Sequence, residues 1–430
     1  MSRQSRRAML AAAGTTLATA LAGCTELGTF WGEKEVEYDE SALAELPDDL
    51  PEVPDTTPVH PTEEHVSTAR DRIQSLLDGT DVSRIPNEVV RDELDRAAGS
   101  ARDALEDDED DEPSRIDHLA GLTYSRSDAM FADAGLAAYD DDLTADDVES
   151  RRERRHREAE SFLAEYSSIG PSDDPVVALA QHHTITEWGH TGVRMTEPDQ
   201  YAEYENTVLH VAELAQDVEW GRAHTADARR LHEHYASTLD DPRDYGDHFG
   251  SVAATLLEDV EAHAEQPDWD ELEREIDRDI SNTAGESLLD DLLRRRWIDA
   301  QNTVERHDDG RDAAAVVFAM RTLTADRALA AARTAVEDGE YDVPQSVEPI
   351  AAERSAAVDG FRTLLATAPE LLAHRLAHVV YYGIRNADGT VEDGGAFDPG
   401  RSLYAEYAVA NQLAAAAPPV VQRVADAVTD

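Results

Sequence analysis

The chain has almost no cysteine and almost no lysine. Cys24 is its only thiol in 430 residues, and Lys34 is the only lysine among 38 basic residues. A single cysteine excludes a disulfide within the chain, so packing has to supply the stability. Aromatic residues make up only 6%. The most continuous apolar stretch, Ala8 to Ala22, falls short of the roughly 20 residues a membrane-crossing helix needs. No segment alternates apolar and polar residues for long, and β-branched residues are sparse, which argues against a sheet. Catalytic signatures are missing as well. The chain holds no His-Glu-x-x-His pair, no Gly-x-Ser-x-Gly elbow, no glycine-rich phosphate loop and no paired Glu-x-x-His segments of the di-iron kind.

What is abundant is acid. Asp and Glu number 92 and the formal net charge is -54. Self-repulsion on this scale opposes a compact state at low ionic strength, whereas molar salt shortens the screening length to about 3 Å and makes the surface tolerable. The same sign excludes duplex nucleic acid as a partner, since a phosphate-binding face is normally a cluster of Lys and Arg. One dense basic run interrupts the acid, with Arg151, Arg152, Arg154, Arg155 and His156 around Glu153. Acids flank it, so it reads as the solvated, salt-bridged face of a helix. Acid excess, near absence of lysine and 41% hydrophobic content together resemble proteins of extremely halophilic archaea, a resemblance that implies an environment and not an activity.

At the start, Arg3, Arg6 and Arg7 precede the apolar stretch, and Gly23 and Cys24 follow it, which is the order of an export signal. Arg6-Arg7 with the following Ala, Met and Leu resembles a twin-arginine signal, a route for folded cargo. Leu21-Ala22-Gly23-Cys24 resembles the lipobox of secreted lipoproteins. The resemblance implies cleavage before Cys24, a lipid on its sulfur, and a cell-membrane location facing the exterior. The partners implied are the membrane, through that lipid, and a protein of the envelope. Residues 25–62 combine acids and prolines without a hydrophobic period and read as an extended, disordered tether beyond the signal of residues 1–24.

From about residue 62 the apolar spacing becomes helical. Val66, Ala69, Ile73, Leu76 and Leu77 recur at intervals of three and four, with Gly79 as a stop. Thr144 with Asp147 three residues on predicts a capped helix start. The pattern continues to the C-terminus, so the expected fold class is all-α: a multi-helix antiparallel array or two packed helical subdomains. The Ser-Ser-Ile-Gly-Pro break near 170 separates residues 63–170 from 171–430, with a weaker boundary near 308.

Chemistry concentrates in one place. Nine of the sixteen histidines lie between residues 182 and 263. His183 and Glu187 are four apart, His210 and Glu213 are three apart, and His232 follows, so two helices facing each other would present imidazoles and carboxylates to zinc or iron. A second candidate is the helix face carrying Glu370, His374 and His378 beside Tyr381 and Tyr382, suited to a small ligand or a haem-like group. Two functional readings stay open: a lipid-anchored extracellular scaffold or interaction module that needs no cofactor, and a metal- or cofactor-binding receptor or enzyme built on residues 182–263.

Overall fold

The computed structural model describes residues 38–47, 50–106, 114–198, 204–268, 274–392 and 398–430. The expectations placed on Arg6, Arg7 and Cys24 lie outside the described residues. Thirteen α-helices carry the fold among those described, as the all-α reading expects. The first seven are α1 (Glu40–Ala44), α2 (Glu63–Leu77), α3 (Glu88–Glu106), α4 (Arg115–Tyr139), α5 (Ala145–Glu165), α6 (Pro175–Arg194) and α7 (Thr207–Ser237). The last six are α8 (Gly246–Val260), α9 (Ala284–Asp308), α10 (Asp312–Glu337), α11 (Glu348–Leu365), α12 (Glu370–Glu392) and α13 (Tyr404–Thr429).

Local chemistry sets many of the helix starts. The Thr62 hydroxyl accepts from the His65 amide, and Thr144 and Asp147 form the reciprocal capping box their spacing predicts. Asp174 caps α6, whose first residue is Pro175, where the missing amide proton costs nothing. Gly79 follows α2 at φ +85°, a left-handed conformation that glycine takes without strain.

Two bundles share one body. In the first, α4 and α7 lie at the centre, with α2 and α3 against α4 and with α5 and α6 against α7. In the second, α10 and α13 are central and α8, α9, α11 and α12 surround them. The helix α6 serves both, because Ile185 joins Phe162, Ala228 and Leu231 on one side while Val176, Ala178 and Leu179 join the large C-terminal core on the other. Against α7 it packs through glycine. A Cβ on Gly192 would lie 2.2 Å from the Thr225 hydroxyl, and one on Gly221 would lie 2.9 Å from the Gly192 carbonyl oxygen.

Three features differ from the sequence reading. The break near 170 does not end the first bundle, because α6 and α7 beyond it pack on α4 and α5. The change of neighbours comes at residues 242–246. Two short strands mark both places: Ile169–Pro171 (β1) pairs antiparallel with Pro242–Asp244 (β2), with Gly170 opposite Arg243. Three residues are too few for alternation to register in sequence.

The part of the tether that is described, from Tyr38 to Thr62, is not a tether. Leu43 is buried in the C-terminal core with Tyr38, Leu46, Leu50 and Val53 against it. The Tyr38 hydroxyl donates to the Pro344 carbonyl at 2.6 Å, and the Val59 amide donates to Gln181 Oε1 at 2.9 Å. Scattered apolar contacts, with the Val59 amide and the Thr56 carbonyl bonded by Gln181 and Arg375, fix the segment without a regular hydrophobic period.

Candidate functional site: an arginine-lined cavity

The histidine-rich stretch does not close around an ion. His210 and His232 both lie on α7, about six turns and roughly 33 Å apart at 1.5 Å per residue. A single helix of 31 residues cannot bring them together. Glu213 lies one turn after His210, while Glu187, on α6, is committed to Arg306 at 2.9 Å and Arg311 at 3.2 Å. The His232 ring donates to the Ser167 carbonyl at 3.1 Å and packs on Tyr166. Among the described residues no group of three or more His, Cys, Asp or Glu could hold a metal. The expected zinc or iron set of His183, Glu187, His210, Glu213 and His232 is therefore corrected to four separate locations.

His182 has become core. Its Nε2–H donates to the Ile169 carbonyl at 2.6 Å, its Nδ1 accepts from the Tyr166 hydroxyl, and burial pushes its pKa down to about 4. The unfolded chain therefore binds a proton near pH 6.5 that the folded one refuses until about pH 4. Stability from this residue is present above pH 6.5, falls as pH drops through that window, and is flat below it. A shift of this size corresponds to about 3 kcal/mol. Urea unfolding in molar salt should show His182→Gln losing less stability than the parent between pH 6.5 and 4; parallel curves would refute the assignment.

His183, one residue on, faces the junction of the bundles. Its Nδ1 accepts from Arg375 Nη1 at 2.7 Å, its ring packs on Phe318, and burial followed by Arg375, Arg321 and Arg306 holds it neutral, well below the usual imidazole range. Arg375 comes from α12 and reaches three other groups: the Ala180 carbonyl at 2.5 Å, the Thr56 carbonyl at 3.3 Å and the Thr184 hydroxyl at 3.5 Å. It touches no carboxylate. Burial brings its pKa down to about 10, and Asp55 is the charge that opposes this.

Beside these residues lies a cavity of about 420 Å³, inside the roughly 300–1,000 Å³ of small-molecule sites. His183 and Arg375 line it with Thr56, Arg295 from α9, and Val317 and Arg321 from α10. His378, Val379, Tyr382, Gly383 and Asn386 on α12 complete the lining. Tyr382 is 58% exposed at this wall and stacks on His378. No carboxylate is among the lining residues. Asp299 stands behind, 3.6 Å from Arg321, with its own carboxyl pushed up by burial against the pull of Arg321, Arg295 and Arg306. The Nε atoms of Arg375 and Arg321 are buried without a hydrogen-bond partner, and Arg295 makes no hydrogen bond or ion pair among the described residues. Guanidinium groups held this way present forked donors suited to a carboxylate or phosphate.

Residues 64–241 match the family model described as Domain of unknown function (DUF8262). Residues 246–426 match a second, Domain of unknown function (DUF8264). A comparison with curated proteins finds no match, and one with solved structures finds none. The two matched segments meet at β2, where the packing changes. The cavity straddles them: His183 belongs to the DUF8262 segment, Arg295, Arg321 and Arg375 to the DUF8264 segment, and Thr56 to neither.

Half of the second sequence candidate falls here. His378 and Tyr382 line the cavity, whereas His374 is buried and donates to the Leu365 carbonyl at 3.1 Å, and Tyr381 packs on Phe361. The arginines were passed over. A signal was available: Arg321 is the lone charge between Ala313 and Ala325, and Arg375 sits among Leu372, Ala373, Leu376 and Ala377. An arginine in an apolar helical run is costly unless something receives it.

Proposed function

We propose that the protein is a lipid-anchored, outward-facing helical module of a halophile that captures a small organic anion in the cavity between its two bundles. The observation that carries this reading is the convergence of Arg295, Arg321 and Arg375 on a space lined by no carboxylate, in a chain whose net charge is -54. Such a surface has carboxylates to spare, yet Arg295 and Arg375 have no ion pair among the described residues and Arg321 has only Asp299, which stands behind the lining. In molar chloride long-range attraction is screened, but direct guanidinium–oxyanion hydrogen bonds act at contact and survive. Val317, Val379 and Tyr382 add apolar wall for the rest of the ligand. The lipobox-like segment ending in Cys24 supports attachment to the outer face of the membrane, where a captured solute would be met.

Isothermal titration of the mature chain in molar potassium chloride tests this, with glutamate, citrate and glycerol phosphate set against glutamine and glycerol. At least one anion should bind saturably and the neutral compounds should not. Heats indistinguishable between the two classes would sink the capture reading. The anchor is checked separately by mass spectrometry: a lipid-sized mass on residue 24 should vanish in Cys24→Ser.

A further inference from the structure

The basic run singled out in the sequence is only partly a solvated face. Arg151, Arg154 and Arg155 recur at i, i+3 and i+4 on α5, so they share one side of that helix. That side borders a cleft of about 220 Å³ together with Arg72 of α2 and Arg222 of α7. Met130, Val148, Ala215 and Val218 form its apolar base. Glu219 is the only carboxylate in the lining, and it is nearly inaccessible.

That carboxylate is already spent. Arg72 donates to its two oxygens at 3.0 Å each, and Arg222 does so at 2.9 and 2.5 Å. Against its burial, Arg222 and Arg72 keep Glu219 below the usual carboxylate range. The ion pairs therefore fix two guanidinium groups rigidly in the cleft, side by side. Arg155 pairs with Glu158 at 2.6 Å, and Asp133 lies near Arg72 and Arg151 with its carboxyl pushed up by burial. Arg151 and Arg154 are exposed and make no hydrogen bond or ion pair among the described residues. Asp147 acts on Arg151 and Asp227 on Arg222 from further off, so five arginines and five acids are balanced here, on a chain where acids outnumber bases by 92 to 38, and only one of those acids is in the cleft lining.

We propose that this cleft is a second anion site, for a phosphate group: Arg151 and Arg154 donate from the rim, and the Arg72–Glu219–Arg222 bridge holds the two inner guanidinium groups in place. Its volume lies below the roughly 300 Å³ where drug-sized pockets begin, which suits a bare oxyanion or one headgroup. Arginine's planar fork matches phosphate oxygens in pairs, and such contacts are short enough to persist where the screening length is about 3 Å. The phosphate comes either free from solution or from a lipid headgroup. The site is independent of the cavity at Arg375.

Equilibrium dialysis of inorganic phosphate against the mature Cys24→Ser chain in molar potassium chloride counts the sites. Arg151→Gln with Arg154→Gln should remove one site or weaken it at least tenfold, with an unchanged circular-dichroism melt, whereas Arg295→Gln should leave that site intact. Flotation of the same proteins with phosphatidylglycerol vesicles, against glycolipid vesicles lacking phosphate, separates the sources. Flotation that depends on Arg151 and Arg154 assigns the lipid headgroup; dialysis binding without flotation assigns free phosphate. The proposal is overturned if the double variant retains parental stoichiometry and flotation, or if the parent shows neither.

Discussion

Arg375→Gln is expected to lower affinity for the captured anion by two orders of magnitude or more, and Arg295→Gln by at least tenfold. A hydrogen bond to a charged partner contributes about 1.5–3 kcal/mol, so the loss of one such contact from Arg375 reaches that range. Arg375 is the deeper group and the one whose donors are oriented by His183, Ala180 and Thr56. The two variants should differ in stability. Arg375 ties the leading segment, α6 and α12 together, so its loss leaves carbonyls unpaired and lowers the unfolding midpoint. Arg295 has no such ties and stands beside two other cations, so its replacement should leave the midpoint at or above that of the parent, as expected where charge is retained for binding. Titration and urea melts on both proteins check this. Loss of binding only in proportion to loss of stability would show that Arg295 is ordinary surface.

Helical spacing and the caps at Thr62, Thr144 and Asp174 are local, so the helices were legible. The partition of the bundles was not, because α6 looks like any amphipathic helix until its two flanks, Ile185 on one and Leu179 on the other, are seen in different cores. The leading segment from Tyr38 reads as a tether because its apolar residues have no regular period, whereas its attachment uses scattered apolar residues such as Leu43 and Val53 together with the backbone groups of Thr56 and Val59. Histidine suits a metal ligand, yet in this chain His182 is buried and His183 and His232 are half-buried, and desolvation pushes the pKa of each down. The informative residue type was arginine. Where 92 acids are available, an arginine that ends without one marks a place kept open.

The opposite case sits inside the first bundle. Asp227→Ala is expected to cost about 3–5 kcal/mol, the usual penalty for removing one partner of a buried ion pair. Asp227 is 2% exposed and Arg126 3%. Arg126 donates to both carboxylate oxygens and to the Thr123 hydroxyl at 2.7 Å, while His65 Nε2 lies 2.9 Å from Oδ1. Burial alone would raise the Asp227 pKa, but Arg126 and His65 outweigh it and bring it below the usual range. Its contribution is therefore complete above about pH 4 and lost as pH falls through the depressed folded value. Taking away the carboxylate strands a guanidinium that α4 cannot release to water. Because the pair is dry, the penalty should be the same in 1 M and 4 M potassium chloride, although the screening length falls from about 3 Å to roughly half that. Arg362→Gln, which breaks an exposed pair with Asp359, should cost at most about 1 kcal/mol. Urea unfolding of both variants at the two salts decides it. A small or salt-dependent loss at Asp227 would mean that water reaches this triad, and that the bundle joining α2, α4 and α7 is looser than its packing indicates.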